Sequence, residues 1–269
     1  MYCRFCFRKR LFINKGDEIA LDISKNLEYV RKHPEINNVL LTGGDPLVLN
    51  TSKLEKILEE LSEIPHVRIV RIGSKIPATN PFRIINDSSL IRLFEKFNFQ
   101  KDKKLYLMTH FNHPKELTKE AKKAIKLVQK TGAITYNQTP ILKGINDNAE
   151  TIKTLIEELS FTGITPYYFF QCRPVVGNRM FSTNIEDTID IVESARSKVS
   201  GLAAKVRYVM SHETGKIEIL GKTKEHILFR YHRAANPEDA GKIMVYKRNP
   251  SACWFDDYTE LVEEYKINA

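Results

Sequence analysis

Two periodicities alternate along the chain. Short, continuous apolar runs at Val39–Thr42, Val67–Ile72, Leu105–Thr109, Ile134–Asn137 and Tyr167–Gln171 predict buried strands. Between them, apolar residues return every three or four positions, the period of a helix with one buried face. Asp17–Val30 places Ile19, Ile23, Leu27 and Val30 on one such face. Leu54, Ile57, Leu58 and Leu61 form the next stripe, opened by Ser52 and Glu55 at capping-box spacing. Further helices are predicted over Ser89–Phe97, Leu117–Lys130 (closed by Gly132), Ala149–Leu159 and Ile185–Val199. This alternation predicts an α/β fold with a parallel sheet and crossover helices. After Ser200 the rhythm changes. Val206–Met210, Lys216–Leu220, His226–Tyr231 and Lys242–Lys247 read as strands joined by short turns, with no crossover helix between them. The expected organisation is therefore a barrel-like part over residues 1–200 and a C-terminal β-rich extension over 201–269, packed on it. Five strand–helix units fall short of a closed eight-fold barrel, and the chain opens on a loop and a helix. A strand that belongs before the first visible one is expected to be missing.

Composition narrows the picture. At 269 residues and 42% apolar, the chain can bury a full core. No apolar run reaches bilayer length, and Met1–Arg10 has no secretory apolar segment, so a soluble cytoplasmic protein without a membrane partner is expected. The net charge of +9 is spread over mixed-charge segments such as Lys53–Glu60 and Lys115–Lys130, which read as solvated helix faces. Arg4, Arg8, Lys9 and Arg10 remain as the basic cluster with a candidate role. No aromatic-interleaved basic stripe marks a nucleic-acid binder.

The candidate chemistry begins at Cys3-Arg-Phe-Cys6. Thiolates at this spacing serve zinc, redox or iron–sulfur sites, and two terminal cysteines can also be incidental. Zinc would require a second pair, which Cys172 and Cys253 do not provide. A redox pair normally opens a helix after a strand, and nothing here precedes it. Thr42-Gly43-Gly44-Asp45-Pro46 follows the first strand. Its glycines permit close approach of a ligand to the main chain, and Asp45 suits an ammonium or hydroxyl group, although Gly-Gly-Asp is also an ordinary turn. Gly43–Asp45, Ser74, His110, Asn137–Gln138 and Gln171–Arg173 all fall at or just after the C-terminal ends of successive predicted strands, where barrel enzymes build their sites. A lone His at a strand end can equally be a satisfied core residue. Tyr106, Tyr136, Tyr167, Tyr168, Phe169 and Phe170 read as core rather than as a stacking platform.

Together these segments resemble the lysine 2,3-aminomutase family of radical S-adenosylmethionine (SAM) enzymes. Met1–Arg10 looks like the end of that family's CxxxCxxC loop. Leu40–Asp45, Ile64–Ser74, Thr109–Pro114, Asn137–Gln138, Gly144–Asp147 and Pro166–Tyr168 match in order, up to about Arg173. The resemblance implies a partial TIM-type (β/α)6 radical SAM barrel, here lacking its first strand. It also implies a [4Fe–4S] cluster on three cysteines, SAM as the source of a 5′-deoxyadenosyl radical, and pyridoxal 5′-phosphate (PLP) for a 1,2-shift of an amino group. Cys3 and Cys6 would be cluster ligands; the third cysteine would lie two positions upstream of Met1, so an N-terminally truncated member, or an inactive fragment, is expected. Gly43, Gly44, Asp45, His110 and Gln138 would bind or line the SAM site, and Arg8 would pair with the substrate carboxylate. A flavodoxin- or ferredoxin-type reductant and a homo-oligomer fit the family.

Two departures concern the substrate. Lysine-specific members carry an acidic residue where this chain reads Phe170-Gln171-Cys172-Arg173, and a second where Ser211 stands. Arg173 would repel a distal ammonium and attract an anion, so a substrate with an anionic far end is expected. The family's PLP lysine matches Lys216 in Thr214-Gly215-Lys216-Ile217, a shorter run that also suits a plain turn. Lys222 is the second choice, and a PLP-independent radical SAM reaction is the alternative.

Overall fold

Strands form where the apolar runs are continuous, and the crossover helices over Thr51–Ser62 and Ser88–Asn98 bury most of the stripe read from their sequence. The computed structural model describes residues 3–9, 23–98, 100 and 102–266. The chain forms two compact units. The first holds the described residues of Leu11–Asn137 with Glu158–Thr165; the second holds the described residues of Cys3–Arg10, Gln138–Glu157 and Pro166–Ala269. The boundary expected near Ser200 thus falls inside the second unit.

In the first unit, β1 (Asn38–Leu41), β2 (Ile69–Ser74), β3 (Lys104–Thr109) and the start of β4 (Ile134–Ile141) pair in parallel and in chain order. The register sets Ser74 beside Thr109 and Thr109 beside Asn137, so the strand ends that carry candidate residues are level. The helices of this unit are α1 (Ile23–Lys32), α2 (Thr51–Ser62), the short α3 (Ile76–Thr79) and α4 (Phe82–Ile85), α5 (Ser88–Asn98) and α6 (Lys119–Lys130). α2 buries Leu54, Leu58 and Leu61, and α5 buries Leu90, Leu93, Phe94 and Phe97, as their stripes predict. The expected capping box at Ser52 is corrected. Asn50 is the N-cap and accepts from Lys53 N at 3.0 Å, while Ser52 lies within the first turn. Asp17–Asp22, including Ile19, and Arg10 lie outside the described residues; of the described α1 residues only Leu27 is buried.

In the second unit, α7 (Ala149–Phe161, shared with the first) and α8 (Ile185–Arg196) accompany β5 (Thr165–Gln171) and β6 (Arg207–His212), which pair in parallel. β6 had been read as the opening of the hairpin-linked extension. It pairs antiparallel with the strand that follows it and also in parallel with β5, because α8 supplies the crossover. From β6 the sheet turns antiparallel through β7 (Gly215–Lys222), β8 (His226–Ala234), β9 (Ile243–Lys247) and β10 (Leu261–Tyr265). The fold is α/β with a mixed sheet. β10 was not anticipated: all five of its residues are exposed and show no apolar alternation. One face of this sheet packs Phe169, Tyr208, Met210, Ile217, Ile219 and Phe229 into a core with Ile189 and Val192 of α8 and with Trp254 and Phe255. Burying these side chains is the main favourable term holding the unit together.

Candidate active site

At the strand ends of the first unit, the Asp45 carboxylate is the organising group. Its Oδ1 accepts from Leu47 N at 3.0 Å and Ser74 Oγ at 2.7 Å; its Oδ2 accepts from Lys75 N at 2.6 Å and Ile76 N at 3.2 Å. One oxygen therefore faces the N-terminal amides of α3, where a negative charge is favoured, and the four bonds use the acceptor capacity of the group. Asp45 fastens the Gly43-Gly44 turn to the end of β2. Gly43 takes φ +143°, which favours glycine, and a Cβ added at Gly43 or Gly44 would meet nothing within 4 Å. That leaves room for a ligand above their main chain.

Lys75 carries the connection onward. Its ammonium donates to His110 O at 2.8 Å and to both Glu116 oxygens at 2.8 and 3.0 Å, and Glu116 Oε2 also accepts from Asn112 N at 2.7 Å. The pair is only 14% and 28% exposed, so its charges are poorly screened. Desolvation, with the Lys75 charge adding, pushes the His110 imidazole down to about 3, so it stays neutral through the physiological range. Asn137 completes the row. Its Oδ1 accepts from Thr109 Oγ1 and Phe111 N, each at 2.8 Å, and its Nδ2 donates to Phe111 O at 3.0 Å. Lys75 and Glu116 were not singled out in the sequence, although Glu116 stands two residues beyond the matched Thr109–Pro114 segment.

In the second unit, Cys3-Arg-Phe-Cys6 is a turn, closed by Cys6 N donating to Cys3 O at 3.1 Å. Both cysteines are half-buried, as is Arg8, whose guanidinium lies 5.2 Å from the Phe7 ring centroid. The segment following β5 lies against this turn. Phe5 meets Phe181 edge to face at 6.4 Å, and Lys9 Nζ donates to Gly177 O at 2.7 Å. Arg173 begins that segment, with its guanidinium 5.9 Å from the Trp254 ring centroid; no ion pair neutralises it among the described residues. Gln171 is buried and spends its Nε2 on Thr183 O and Cys253 O, so it shapes the strand end instead of facing a ligand. Burial pushes the Cys172 thiol up to about 11, the opposite of what a metal-binding thiolate needs. Gln138 is half-buried within β4.

Lys216 sits on β7, on the sheet face opposite the core that Ile217 and Ile219 join. Its ammonium lies 4.8 Å from the Tyr168 ring centroid and 4.7 Å from that of Phe170, and donates to Ser211 Oγ at 3.2 Å. Gly215 before it is obligatory: a Cβ there would stand 2.2 Å from Arg233 O. The β7–β8 register shifts between Lys216 and Ile217, which pair with Arg233 and Tyr231, so His232 is an extra residue in β8. His232 Nδ1 takes a hydrogen bond from Arg207 at 2.9 Å. Because a guanidinium only donates, Nε2 carries the proton toward Tyr168 Oη at 2.8 Å. Burial first, and Arg207 next, lower the His232 pKa, and burial raises that of Tyr168. Lys222, the second choice, is engaged with Asp190 at 2.7 Å and Glu186 O at 2.9 Å.

The donor set fits part of what the resemblance implies. Two thiols on a closed CxxC turn suit iron, and no group of three or more His, Cys, Asp or Glu side chains able to hold a metal forms among the described residues. An amine on the open face of a sheet, lined by two aromatic rings, suits an imine-forming lysine. No helix among the described residues is long and apolar enough to cross a membrane.

Comparison with known proteins agrees with these features. Residues 1–159 match the model of the radical SAM superfamily. A protein of Aquifex aeolicus named "Putative L-lysine 2,3-aminomutase" is 73% identical over 266 residues, 99% of this chain and 71% of its own length. L-lysine 2,3-aminomutase of Fusobacterium nucleatum is 41% identical over 76% of this chain, and glutamate 2,3-aminomutase of Clostridioides difficile is 37% identical over 80%. The chain matches 46% and 50% of the length of those two relatives. The superfamily match over more than half the chain, joined to near-complete kinship with the Aquifex protein, places this chain in the radical SAM superfamily, within the lysine 2,3-aminomutase family.

Proposed function

We propose that this chain carries the catalytic core of a radical SAM 2,3-aminomutase whose amino acid substrate has an anionic far end. On this reading β1–β5 belong to a (β/α)6-type barrel, with β6–β10 as its extension. The observation that carries it is the closed Cys3–Cys6 turn in a chain so closely related to 2,3-aminomutases. Cys3 and Cys6 would hold the cluster together with a third, upstream cysteine. The bound groups would supply a 5′-deoxyadenosyl radical for hydrogen abstraction and, at Lys216, an electron sink for the substrate radical.

The chain's own residues then divide the remaining work. The Gly43-Gly44 main chain approaches SAM, held in place by Asp45. His110, neutral, is a hydrogen-bonding partner that adds no charge to the site, and Gln138 lines it. Arg8 takes the α-carboxylate. Arg173, whose charge no acidic side chain offsets among the described residues, takes the distal anion. Ser211, where lysine-specific members are acidic, offers no charge to a second ammonium. The reductant would be a flavodoxin or ferredoxin.

The test is anaerobic iron and sulfide reconstitution of the protein carrying its upstream segment. Iron content and 5′-deoxyadenosine release are then measured with glutamate and with lysine. Iron uptake with SAM cleavage favoured by glutamate is expected. Preference for lysine ends the anionic reading, and failure to cleave SAM ends the enzymatic one. A PLP absorbance band is expected in the wild type and absent in Lys216→Ala; a band that survives removes Lys216 from the role.

A further inference from the structure

The structure assigns to Asn178 the role of a positioning residue that locks the Cys3–Cys6 turn to the segment carrying Arg173. Asn178 is fully buried. Its Oδ1 accepts from Val175 N at 2.8 Å, and its Nδ2 donates to Arg173 O at 3.0 Å and to Phe5 O at 3.2 Å. Phe5 lies between the two cysteines. A single side-chain amide therefore joins the main chain of the cysteine turn to that of the proposed anion-binding arginine, across more than 160 residues of sequence.

A polar side chain with no exposure is stable only when its groups are satisfied, and here every partner is main chain. The carboxamide is needed as both donor and acceptor. A leucine would leave two carbonyls and one N–H without their partner, and an aspartate would set a negative charge against two carbonyl oxygens. Two further contacts flank the clamp and act in the same direction: Lys9 Nζ on Gly177 O, and Phe5 against Phe181. Gly177, with φ +83°, makes the turn that presents its carbonyl to Lys9 and leads into Asn178. Nothing in the sequence marked Asn178, because its partners are separated from it both locally and by most of the chain.

Insofar as the cysteines hold iron, the role rests on the function proposed above; the docking of the turn does not. The experiment separates the two. In the chain without metal, alkylation rates at Cys3 and Cys6 are followed by peptide mass spectrometry in wild type and Asn178→Ala. Buried Cys172 and half-buried Cys253 serve as internal references. Loss of the clamp is expected to raise labelling of Cys3 and Cys6 by about tenfold with the references unchanged. No change, or an equal rise at all four cysteines, overturns the assignment. If Asn178→Ala does not fold, Lys9→Met decides: a rise of about twofold confined to Cys3 and Cys6 supports docking, and none overturns it. In the protein carrying its upstream segment, iron uptake on reconstitution should fall in Asn178→Ala. If wild type takes up no iron while the labelling contrast persists, the iron reading fails and the clamp stands.

Discussion

The strand-end network around Asp45 and the face around Lys216 are built on opposite principles. Asp45, Lys75 and Glu116 are tied by charge-assisted hydrogen bonds largely to main-chain atoms, and each commits most of its hydrogen-bonding capacity inside the protein. Lys216 by contrast lies against the Tyr168 and Phe170 rings and donates to the Ser211 hydroxyl. The first arrangement holds backbone in place for a ligand to approach. The second sets an ammonium against aromatic rings on a sheet face. A charged residue at a strand end is thus ambiguous until its partners are known: the Asp45 carboxylate fastens the Gly43-Gly44 turn to the end of β2.

The contrast can be broken by substitution. Asp45→Ala should have the largest effect, lowering stability by about 3 kcal/mol in urea unfolding, because four bonds to one carboxylate are lost. Glu116→Gln should cost about 2 kcal/mol by leaving Lys75 uncompensated in a site where it is only 14% exposed. Gly215→Ala should cost more than about 1 kcal/mol, since positive φ and the Arg233 carbonyl both oppose a methyl group. Lys216→Ala should cost less than about 1 kcal/mol and, on the proposed function, remove PLP binding. If Lys216→Ala proves as destabilising as Asp45→Ala, the division between a holding network and the Lys216 face is wrong.

A pH series sharpens the same comparison. His110 has its folded pKa depressed from 6.5 to about 3 by burial. Below pH 6.5 the unfolded chain takes up a proton that the folded chain refuses, so this contribution to stability is complete above pH 6.5 and is lost progressively as pH falls to about 3. His110→Gln should flatten that part of the stability profile, measured by urea midpoints at successive pH values. An unchanged slope would show that the imidazole is more hydrated than its surroundings indicate.

Much of the scaffold was legible in the sequence because each stripe is periodic and each strand nearly continuous: Leu54, Leu58 and Leu61, or Leu90, Leu93, Phe94 and Phe97, are buried as their spacing requires. The exceptions have local causes. The start of α2 was misread because Ser52 and Glu55 imitate a capping box, whereas Asn50, two residues earlier, has the side chain that reaches Lys53 N. The parallel pairing of β6 with β5 was not legible, because it depends on α8 and not on β6's own residues. At the candidate site, residue identities could be read but their tasks could not. Whether Asp45, Gln171 or Asn178 faces a ligand or a carbonyl is decided by main-chain atoms distant in sequence, which leave no periodic trace.

Asn137 has a last consequence. By donating to and accepting from the two main-chain groups of Phe111, its carboxamide impersonates one further peptide unit of strand just where β3 has ended. The exit from β3 thus inherits the exactness of a ladder without being one, and His110 is bracketed between Thr109 and Phe111, both pinned by the same amide.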